Sequence, residues 1–251
     1  MYVALKFAYD GRKFNGYARQ PQQKTVEGEI IKALIKNGFV EDTTESNFRS
    51  ASRTDKGVSA LGNVVAFETD SSKKNIFQML KNDLQHITVY GFKNVAPNFI
   101  PRHAKQRRYR YYLKNKNIDF DNFIAAASSF AGEYDFSNFA KLEEFKDPVR
   151  TIDNIIINSQ DDFVIIDFYA QTFLWNQIRR MVSAIQKIVT GKIEKEQVIE
   201  ALHNTNKKVD FGLAPAEPLI LIDIIYDFDF EFDNKLRNSL KNLEELIVSS
   251  L

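Results

Sequence analysis

Apolar residues recur along this chain with two different periods, one of two residues, typical of strands, and one near 3.6 residues, typical of helices. Segments with the two periods follow one another along the chain. A period of two marks a strand at the N-terminus, where the apolar residues are Val3, Leu5, Phe7 and Tyr9. A period near 3.6 predicts a helix from Thr25, a residue type that caps helices, to Lys36. The same period predicts a second helix at residues 75–84, which a strand at 87–90 follows. The first hundred residues therefore predict a half-buried first strand and helices packed on one face of an antiparallel or mixed sheet.

Turn-forming residues at Ala96-Pro97 and Pro101 separate this region from a second region of similar content. The second region has strand patterns at residues 108–114, 154–158, 163–169 and 219–225, and helix patterns at 123–131, 174–189, 195–203 and 236–247. Together the two regions predict an α+β protein with one domain at residues 1–98 and another at residues 99–251.

The residue types and motifs that are missing exclude several kinds of chemistry. The 251 residues include no cysteine, which excludes disulfides, thiolate catalysis and cysteine-ligated zinc. The three histidines, His86, His103 and His203, are far apart in the sequence, so no metal site is predicted. Phosphate-binding loops, dinucleotide fingerprints and a Gly-x-Ser-x-Gly elbow are absent as well.

The charge is balanced overall and uneven locally. Lysine and arginine number 34 against 33 acidic residues, so a nucleic-acid site would have to be a local patch. Two segments supply such patches: Lys105, Arg107, Arg108, Arg110, Lys114 and Lys116, and then Arg179, Arg180, Lys187 and Lys192. Charge runs are usually solvated faces, but this asymmetry also favours a polyanionic partner. No apolar run approaches the ~20 residues that span a bilayer, and we expect a cytoplasmic protein.

The segment Ser52–Ala60 places one carboxylate, Asp55, between Arg53 and Gly57 and beside an apolar strand at residues 64–67. An extended pattern at residues 47–51 precedes it, which predicts a loop between two strands. One interpretation is a tight turn in which Gly57 takes a positive φ and Asp55 bonds its own backbone. The other is a catalytic carboxylate that a neighbouring arginine keeps ionised.

Two segments of the second region could complete a site around this carboxylate. The strand at residues 108–114 puts Tyr109 on one face, where it could pack in the core or stack on a ligand. The helix at residues 174–189 carries Arg179 and Arg180 beside its apolar stripe, and a helical wheel does not distinguish between them.

These segments resemble the motifs of the tRNA pseudouridine synthase A family, in the form found in its archaeal and eukaryotic branches. Residues 52–60 are similar to the family's catalytic loop, G-R-T-D-x-G-V-x-A. Residues 107–111 resemble its R-x-Y-x-Y strand, and residues 173–182 resemble its F-L-x-x-x-V-R helix. Residues 9–20, 134–139 and 214–216 are similar to smaller motifs, so the resemblance covers nearly the whole chain in the same order.

The resemblance implies an isomerase that converts uridine to pseudouridine at positions 38, 39 and 40 of the tRNA anticodon stem-loop, with no cofactor and no metal. Asp55 matches the catalytic aspartate, Tyr109 the tyrosine that stacks on the flipped base, and Arg179 the arginine that pairs with the aspartate. Arg53 and Thr54 are expected to contact the substrate. Such a reaction needs a pocket for an extruded base and a carboxylate shielded from water.

The resemblance also implies a fold and partners. It predicts two ferredoxin-like (RRM-like) halves whose mostly antiparallel sheets join across a central active-site cleft. It predicts a homodimer in which one tRNA touches both subunits. The residues expected to contact the RNA are Lys105, Arg107, Arg108, Arg110 and Arg180.

Some positions depart from the family pattern. Ser52 and Pro218 stand where the family has glycine. Ser59 stands where it frequently has histidine, and Tyr17 where it has tryptophan. These changes concern RNA positioning more than they concern the three site residues, so the target position is less well specified than the reaction. Two alternatives stay open: a related synthase with multisite tRNA or other RNA targets, and a catalytically silent tRNA-binding protein.

Overall fold

The computed structural model describes residues 1–114 and 119–251. These residues form two compact units: unit 1 comprises Met1–Lys105 and Ile220–Leu251, and unit 2 comprises Gln106–Leu219. The first boundary between the units follows Lys105, and the chain returns to unit 1 at Ile220. There the strand Leu219–Ile225 pairs in parallel with the strand Ser59–Glu68.

The strands and helices of the described residues follow the predicted order with several additions. The strands are β1 (Tyr2–Tyr9), β2 (Arg49–Ser50), β3 (Ser59–Glu68), β4 (Ile87–Asn94), β5 (Gln106–Lys114), β6 (Gly132–Asp135), β7 (Val149–Ile152), β8 (Asn154–Gln160), β9 (Phe163–Ala170), β10 (Leu219–Ile225) and β11 (Glu231–Phe232). The helices are α1 (Val26–Lys36), α2 (Lys73–Asp83), α3 (Phe120–Ser128), α4 (Gln177–Val189), α5 (Lys195–His203), α6 (Asn234–Asn238) and α7 (Leu240–Val248), with short 3₁₀ turns at Gly11–Lys13 and Ser137–Phe139.

Unit 1 is built on a sheet whose strands lie in the order β11-β4-β1-β3-β10, with β2 paired to β3. All of these pairings are antiparallel except that between β3 and β10. Helix α1 begins at the predicted cap, where the Thr25 side chain accepts a hydrogen bond from the Gly28 N–H at 3.3 Å.

The first strand differs from its prediction, because both of its faces are buried. Its second face contains Lys6, whose ammonium group forms an ion pair with Asp223 and donates to the Ile224 carbonyl at 3.2 Å. The same ammonium lies 5.2 Å from the ring centroid of Phe230. β10 and the segment after it therefore supply partners to a face that the alternating sequence pattern assigned to solvent.

Unit 2 contains an antiparallel sheet in the order β5-β9-β8 and a separate hairpin of β6 and β7. Helix α4 buries the predicted stripe, including Ile178, Met181 and Ile185. It begins three residues later than predicted, because Asn176 has a left-handed backbone with φ of 64°.

The prediction of one C-terminal helix is wrong in one respect, because this segment forms two helices. Ser239 ends α6 and precedes α7. Its hydroxyl donates to the Leu236 carbonyl at 2.7 Å, a local bond of the kind that competes with a continuous helix.

The predicted fold class, α+β with mostly antiparallel strands, is confirmed. The helices in the described ranges include none long and apolar enough to cross a membrane.

Candidate active site

Asp55 is the first residue of a turn in unit 1. The Val58 N–H donates to the Asp55 carbonyl at 3.1 Å, and Gly57, in the third position, has φ of +89°. This is the arrangement of a type II turn, whose third position requires a positive φ and so favours glycine. The predicted role of Gly57 is confirmed, and the turn leaves Asp55 partly exposed beside the buried start of β3.

Thr54 fixes the chain immediately before Asp55. Its hydroxyl lies 2.8 Å from the Tyr9 hydroxyl, and its carbonyl accepts from the Tyr17 N–H at 3.1 Å. Both Thr54 and its tyrosine partners are buried. The residue before the candidate catalytic group is thus held through its side chain and its backbone.

A second support lies under the other end of the turn. The Gly11 N–H donates to the Ser59 hydroxyl at 3.0 Å. A Cβ atom at Gly11 would overlap the Val58 carbonyl, so only glycine permits this close approach. The Asn63 side chain adds a bond of 2.9 Å to the Ser52 carbonyl. The N-terminal signature at residues 9–20 therefore forms the support of the Asp55 turn.

Asp10 and Arg12 hold this supporting segment together. The Arg12 guanidinium donates to both Asp10 carboxylate oxygens, through Nε at 2.7 Å and Nη2 at 2.8 Å, and the Arg12 N–H adds a third bond. Burial acts to raise the pKa of Asp10, but the bonds from Arg12 outweigh it and leave that pKa below its ordinary value. Asp10 is thus held as a buried carboxylate.

A partly buried hydrogen-bond chain continues from Tyr17. Its hydroxyl donates to Ser50 at 2.9 Å, the Ser50 hydroxyl donates to Glu27 at 2.8 Å, and Glu27 also accepts from the Arg19 N–H at 2.9 Å. Burial raises the pKa of the Tyr17 phenol well above its ordinary value, so it remains a proton donor.

The other residues predicted around Asp55 differ in exposure. Arg53 is exposed, whereas Thr54 is buried with its hydroxyl directed at Tyr9. An exposed guanidinium beside a partly exposed carboxylate is available to a substrate. The Thr54 hydroxyl instead contacts the protein.

Tyr109 is a buried residue of β5 in unit 2. Its ring meets the Phe173 ring edge to face, with centroids 5.3 Å apart. Tyr111 lies on the same face of the strand and donates from its hydroxyl to the Pro215 carbonyl at 3.2 Å. The segment 214–216, one of the smaller sequence motifs, is therefore attached to the tyrosine strand.

Arg179 lies in the first turn of α4 and is attached to the same segment. Its Nε donates to the Ala214 carbonyl at 2.8 Å, and its Nη1 lies 3.4 Å from the Asn176 side-chain oxygen. Burial raises the pKa of Tyr111, and the positive charge of Arg179 opposes part of that rise. Arg179 thus lies near the tyrosine strand within unit 2.

Arg180, the next residue, has a different partner, since its Nη1 donates to the Asp210 carboxylate at 2.8 Å. The structure therefore distinguishes the two arginines that the helical wheel left equivalent: Arg179 binds a backbone carbonyl and Arg180 binds an acid.

Two basic residues of β5 share one buried acid. Arg108 and Arg110 both donate to Asp167 on β9, with contacts between 2.8 and 3.3 Å. Burial acts to raise the pKa of Asp167, but the two arginines outweigh it and lower that pKa. This cluster leaves one net positive charge on the sheet face.

The remaining predicted RNA contacts are spread over both units. Arg107 is buried and donates to the Gln171 carbonyl, and the Lys105 ammonium lies 3.3 Å from the Asp227 carboxylate. Lys114 ends β5, and Lys116 lies outside the described residues. Asp55, Arg53, Thr54 and Lys105 thus belong to unit 1, whereas the other predicted site residues belong to unit 2.

The sequence did not indicate the residues that support the candidate site residues through hydrogen bonds. Tyr9, Glu27, Ser50 and Asp167 are the main ones. Asp167 interrupts an apolar strand pattern, which is a signal for a buried charge with a partner. The described residues include no group of three or more histidine, cysteine or acidic side chains able to hold a metal ion.

Comparison with known families and proteins gives one consistent result. A family model described as tRNA pseudouridine synthase matches residues 126–227. A protein named tRNA pseudouridine synthase A from Thermococcus sibiricus is 44% identical over 230 residues, which cover 90% of this chain and 85% of the relative. A protein of the same name from Methanothermobacter thermautotrophicus is 37% identical over 227 residues, covering 89% of this chain and 81% of the relative.

Solved structures give a more distant likeness. A chain in the crystal structure of a Cbf5-Nop10-Gar1 complex aligns with a TM-score of 0.38 and 14% identity. The alignment covers 73% of this chain and 44% of that chain, so the protein spans less than half the length of this structural neighbour.

Proposed function

Because the chain belongs to the tRNA pseudouridine synthase A family, we propose that it modifies positions 38, 39 and 40 in the anticodon stem-loop of tRNA. The family itself makes the protein an isomerase that converts uridine to pseudouridine in tRNA. The observation that carries the proposal is the Asp55 turn, in which buried neighbours hold the one carboxylate of the family's catalytic loop.

The reaction can proceed with side chains alone. The bond between ribose C1′ and uracil N1 breaks, a bond between C1′ and C5 forms, and the proton leaves C5 while N1 gains one. Atoms and electrons balance without an oxidant or reductant. In this proposal Asp55 is the catalytic carboxylate that begins the exchange of bonds at the extruded nucleotide.

Tyr109 and Arg179 supply the other half of the proposed site. Tyr109 would stack on the flipped uracil near C5, and its edge-to-face contact with Phe173 supports the ring from behind. Arg179 would pair with Asp55, and its bond to the Ala214 carbonyl supports a fixed direction for the guanidinium. The meeting of Asp55 with these two residues is part of the proposal.

Arg53 and Thr54 have different proposed roles despite being neighbours. The exposure of Arg53 supports a contact with the flipped nucleotide or its phosphate. Thr54 was expected to bind substrate, and its buried contact with Tyr9 supports in addition a role in holding Asp55.

The proposed RNA contacts follow the basic residues. Lys105, Arg107, Arg108, Arg110 and Arg180 would lie along the tRNA backbone, where arginines bind phosphates well. The net positive charge left by Arg108, Arg110 and Asp167 supports this. The proposal includes a homodimer that binds one tRNA with both subunits, acting in the cytoplasm, where its tRNA substrate is used.

The experiment that tests the proposal is a map of pseudouridine in unmodified tRNA transcripts after incubation with the purified protein. We expect new pseudouridine at positions 38 to 40 in transcripts that have uridine there. Pseudouridine at other positions would favour the related multisite synthase. Binding of tRNA without any pseudouridine would favour the catalytically silent tRNA-binding protein.

A further inference from the structure

Two aromatic side chains of unit 2 are exposed although most of the described phenylalanines are at least partly buried. Phe145 is 99% exposed, and Trp175 is 43% exposed. Their segments are joined, because the Lys141 N–H donates to the Trp175 carbonyl at 2.8 Å. Leu142 is exposed as well. We call Lys141, Leu142, Phe145 and Trp175 the aromatic patch.

The backbone at Phe145 is unusual. The Lys146 N–H donates to the Glu143 carbonyl at 3.2 Å, which closes a turn with Phe145 in the third position, and φ of Phe145 is +61°. That position favours glycine or asparagine, and a bulky residue there is an outlier. A phenylalanine in this conformation, with its ring in solvent, contributes nothing evident to folding, so its presence indicates another use.

The patch adjoins the residues to which the proposed function assigns substrate contact. Trp175 directly precedes Asn176, whose side-chain oxygen is 3.4 Å from the Arg179 guanidinium. The Lys141 ammonium lies 4.0 Å from the centroid of the Trp175 ring, so positive charge is already placed against the indole.

The charges of the loop indicate what kind of contact it can make. Residues 141–147 contain two lysines and three acidic residues, and Lys146 is paired with Glu143 at 2.7 Å. Such a loop does not attract phosphates, but the flat face of an unpaired base carries no net charge and stacks readily on phenylalanine and tryptophan. The exposed part of the patch therefore fits bases of a single-stranded loop better than a duplex.

We propose that Phe145 and Trp175 stack on unpaired bases of the tRNA substrate. This inference rests on the proposed function and identifies a surface that recognises the loop of the RNA. Trp175 would stack on a base close to the modified nucleotide, and Phe145 would reach a second base with its exposed ring.

Trp175 provides the readout, since it is the single tryptophan of the chain. The probes are an anticodon stem-loop RNA and a fully paired duplex of the same stem, titrated into the full-length protein carrying Asp55→Ala to prevent turnover. We expect the stem-loop to quench tryptophan fluorescence and the duplex to leave it unchanged. Tight binding of the stem-loop with unchanged fluorescence would overturn the stacking role of Trp175.

Phe145 is tested by affinity. We expect Phe145→Ala to raise the Kd for the stem-loop about 10-fold and Phe145→Tyr to restore it, because stacking needs a ring. The matched control is Ile199→Ala, which removes another exposed apolar side chain of unit 2. A wild-type Kd for Phe145→Ala would overturn the proposal. A change in the oligomeric state of Phe145→Ala without a change in its Kd for the stem-loop would also overturn the proposal, because the aromatic patch would then be a contact between protein copies.

Assays of the wild-type protein in the same series distinguish a failure of this inference from a failure of the proposed function. If it forms pseudouridine at positions 38 to 40 while the patch variants behave as wild type, only the stacking proposal fails. If it neither binds nor modifies tRNA, the proposed function fails and the stacking proposal fails with it.

Discussion

The turn at Asp55–Val58 in unit 1 and the turn at Glu143–Lys146 in unit 2 have the same hydrogen bond and a positive φ in the same position. Their surroundings differ. In the first turn the third residue is a buried glycine, and Thr54 and Ser59 on either side bond to the N-terminal segment. In the second the third residue is an exposed phenylalanine, and a salt bridge between the turn's own end residues spans it.

This difference corresponds to the two tasks that we propose for the turns. A reacting carboxylate must keep its position within a fraction of an ångström, and only packed neighbours can impose that. A ring that stacks on bases needs exposed area, and it tolerates adjustment of its position. The predictions below test whether the first turn depends on its support while the second does not.

The largest effect is expected from the carboxylate itself. We expect Asp55→Asn to lower the rate of pseudouridine formation by more than about 10³-fold, because it removes the proposed catalytic group and retains the side-chain shape. Release of tritium from uracil C5 in single-turnover reactions measures the rate, and filter binding measures tRNA affinity, which should be unchanged. The control is Asp70→Asn, a fully exposed acid of unit 1. A rate within a few-fold of wild type would remove Asp55 from the mechanism.

The next effect concerns the support under the turn. We expect Asp10→Asn to lower the free energy of unfolding by about 2 kcal/mol at pH 7, because it breaks charged hydrogen bonds to Arg12. The pKa of Asp10 is lower in the folded protein, so its contribution is present above the unfolded pKa of about 4 and is lost as pH falls further. Urea unfolding between pH 7 and pH 3 measures this.

Wild type and Asp10→Asn should therefore converge in stability below about pH 4. A constant difference across that range would show that the Asp10 charge is not the cause. An equal stability at pH 7 would show that the Arg12 contacts contribute nothing.

Changing the third residue of each turn gives a smaller effect, which differs between the turns. We expect Gly57→Ala to cost about 1–2 kcal/mol of stability, because a side chain is strained at φ of +89°. Phe145→Gly should change stability by less than about 0.5 kcal/mol, since relief of the left-handed strain is offset by the entropy of glycine in the unfolded chain. Urea unfolding of both variants compares them, and equal losses would contradict the distinction between the turns.

The smallest effect is expected at the hydroxyl that holds Thr54. We expect Tyr9→Phe to lower the single-turnover rate about 5-fold with unchanged tRNA affinity, because one hydrogen bond next to Asp55 is lost. Tyr90→Phe is the control, since it removes a buried hydroxyl that donates to the Leu61 carbonyl instead. Adding Thr54→Val to Tyr9→Phe should cause little further loss if the two hydroxyls act as one contact. Additive losses would argue against this.

The sequence predicted the parts of this molecule that depend on local pattern. Periodicity located the long strands and helices, and the Asp-Lys-Gly turn predicted the positive φ of Gly57. Motif resemblance identified the family, which the relatives confirm. The hairpin of β6 and β7 was missed because its strands are short and partly exposed, which gives a weak alternating signal.

Most of what the sequence did not predict depends on contacts between distant segments. Lys6 looked like a solvent-facing residue, because nothing local shows that Asp223 in β10 and Phe230 after it lie against its ammonium group. The bond from Tyr9 to Thr54 joins residues that are 45 positions apart. The backbone at Phe145 was also missed, since a phenylalanine gives no signal for a left-handed turn position.

Unit 1 is formed from two separate stretches of the chain, and this has a consequence for synthesis on the ribosome. All of unit 2, Gln106–Leu219, has been translated before residues 220–251, which unit 1 needs for β10 and for the contacts of Lys6 with Asp223 and Phe230. Unit 2 can therefore fold while unit 1 still exposes one face of its sheet, and Ser59 and Ala60, which follow the Asp55 turn, gain their β10 partners only after residue 220 has been translated. Loss of the C-terminal segment would act on the opposite end of the sequence, by uncovering β1 and the N-terminal signature that supports Asp55.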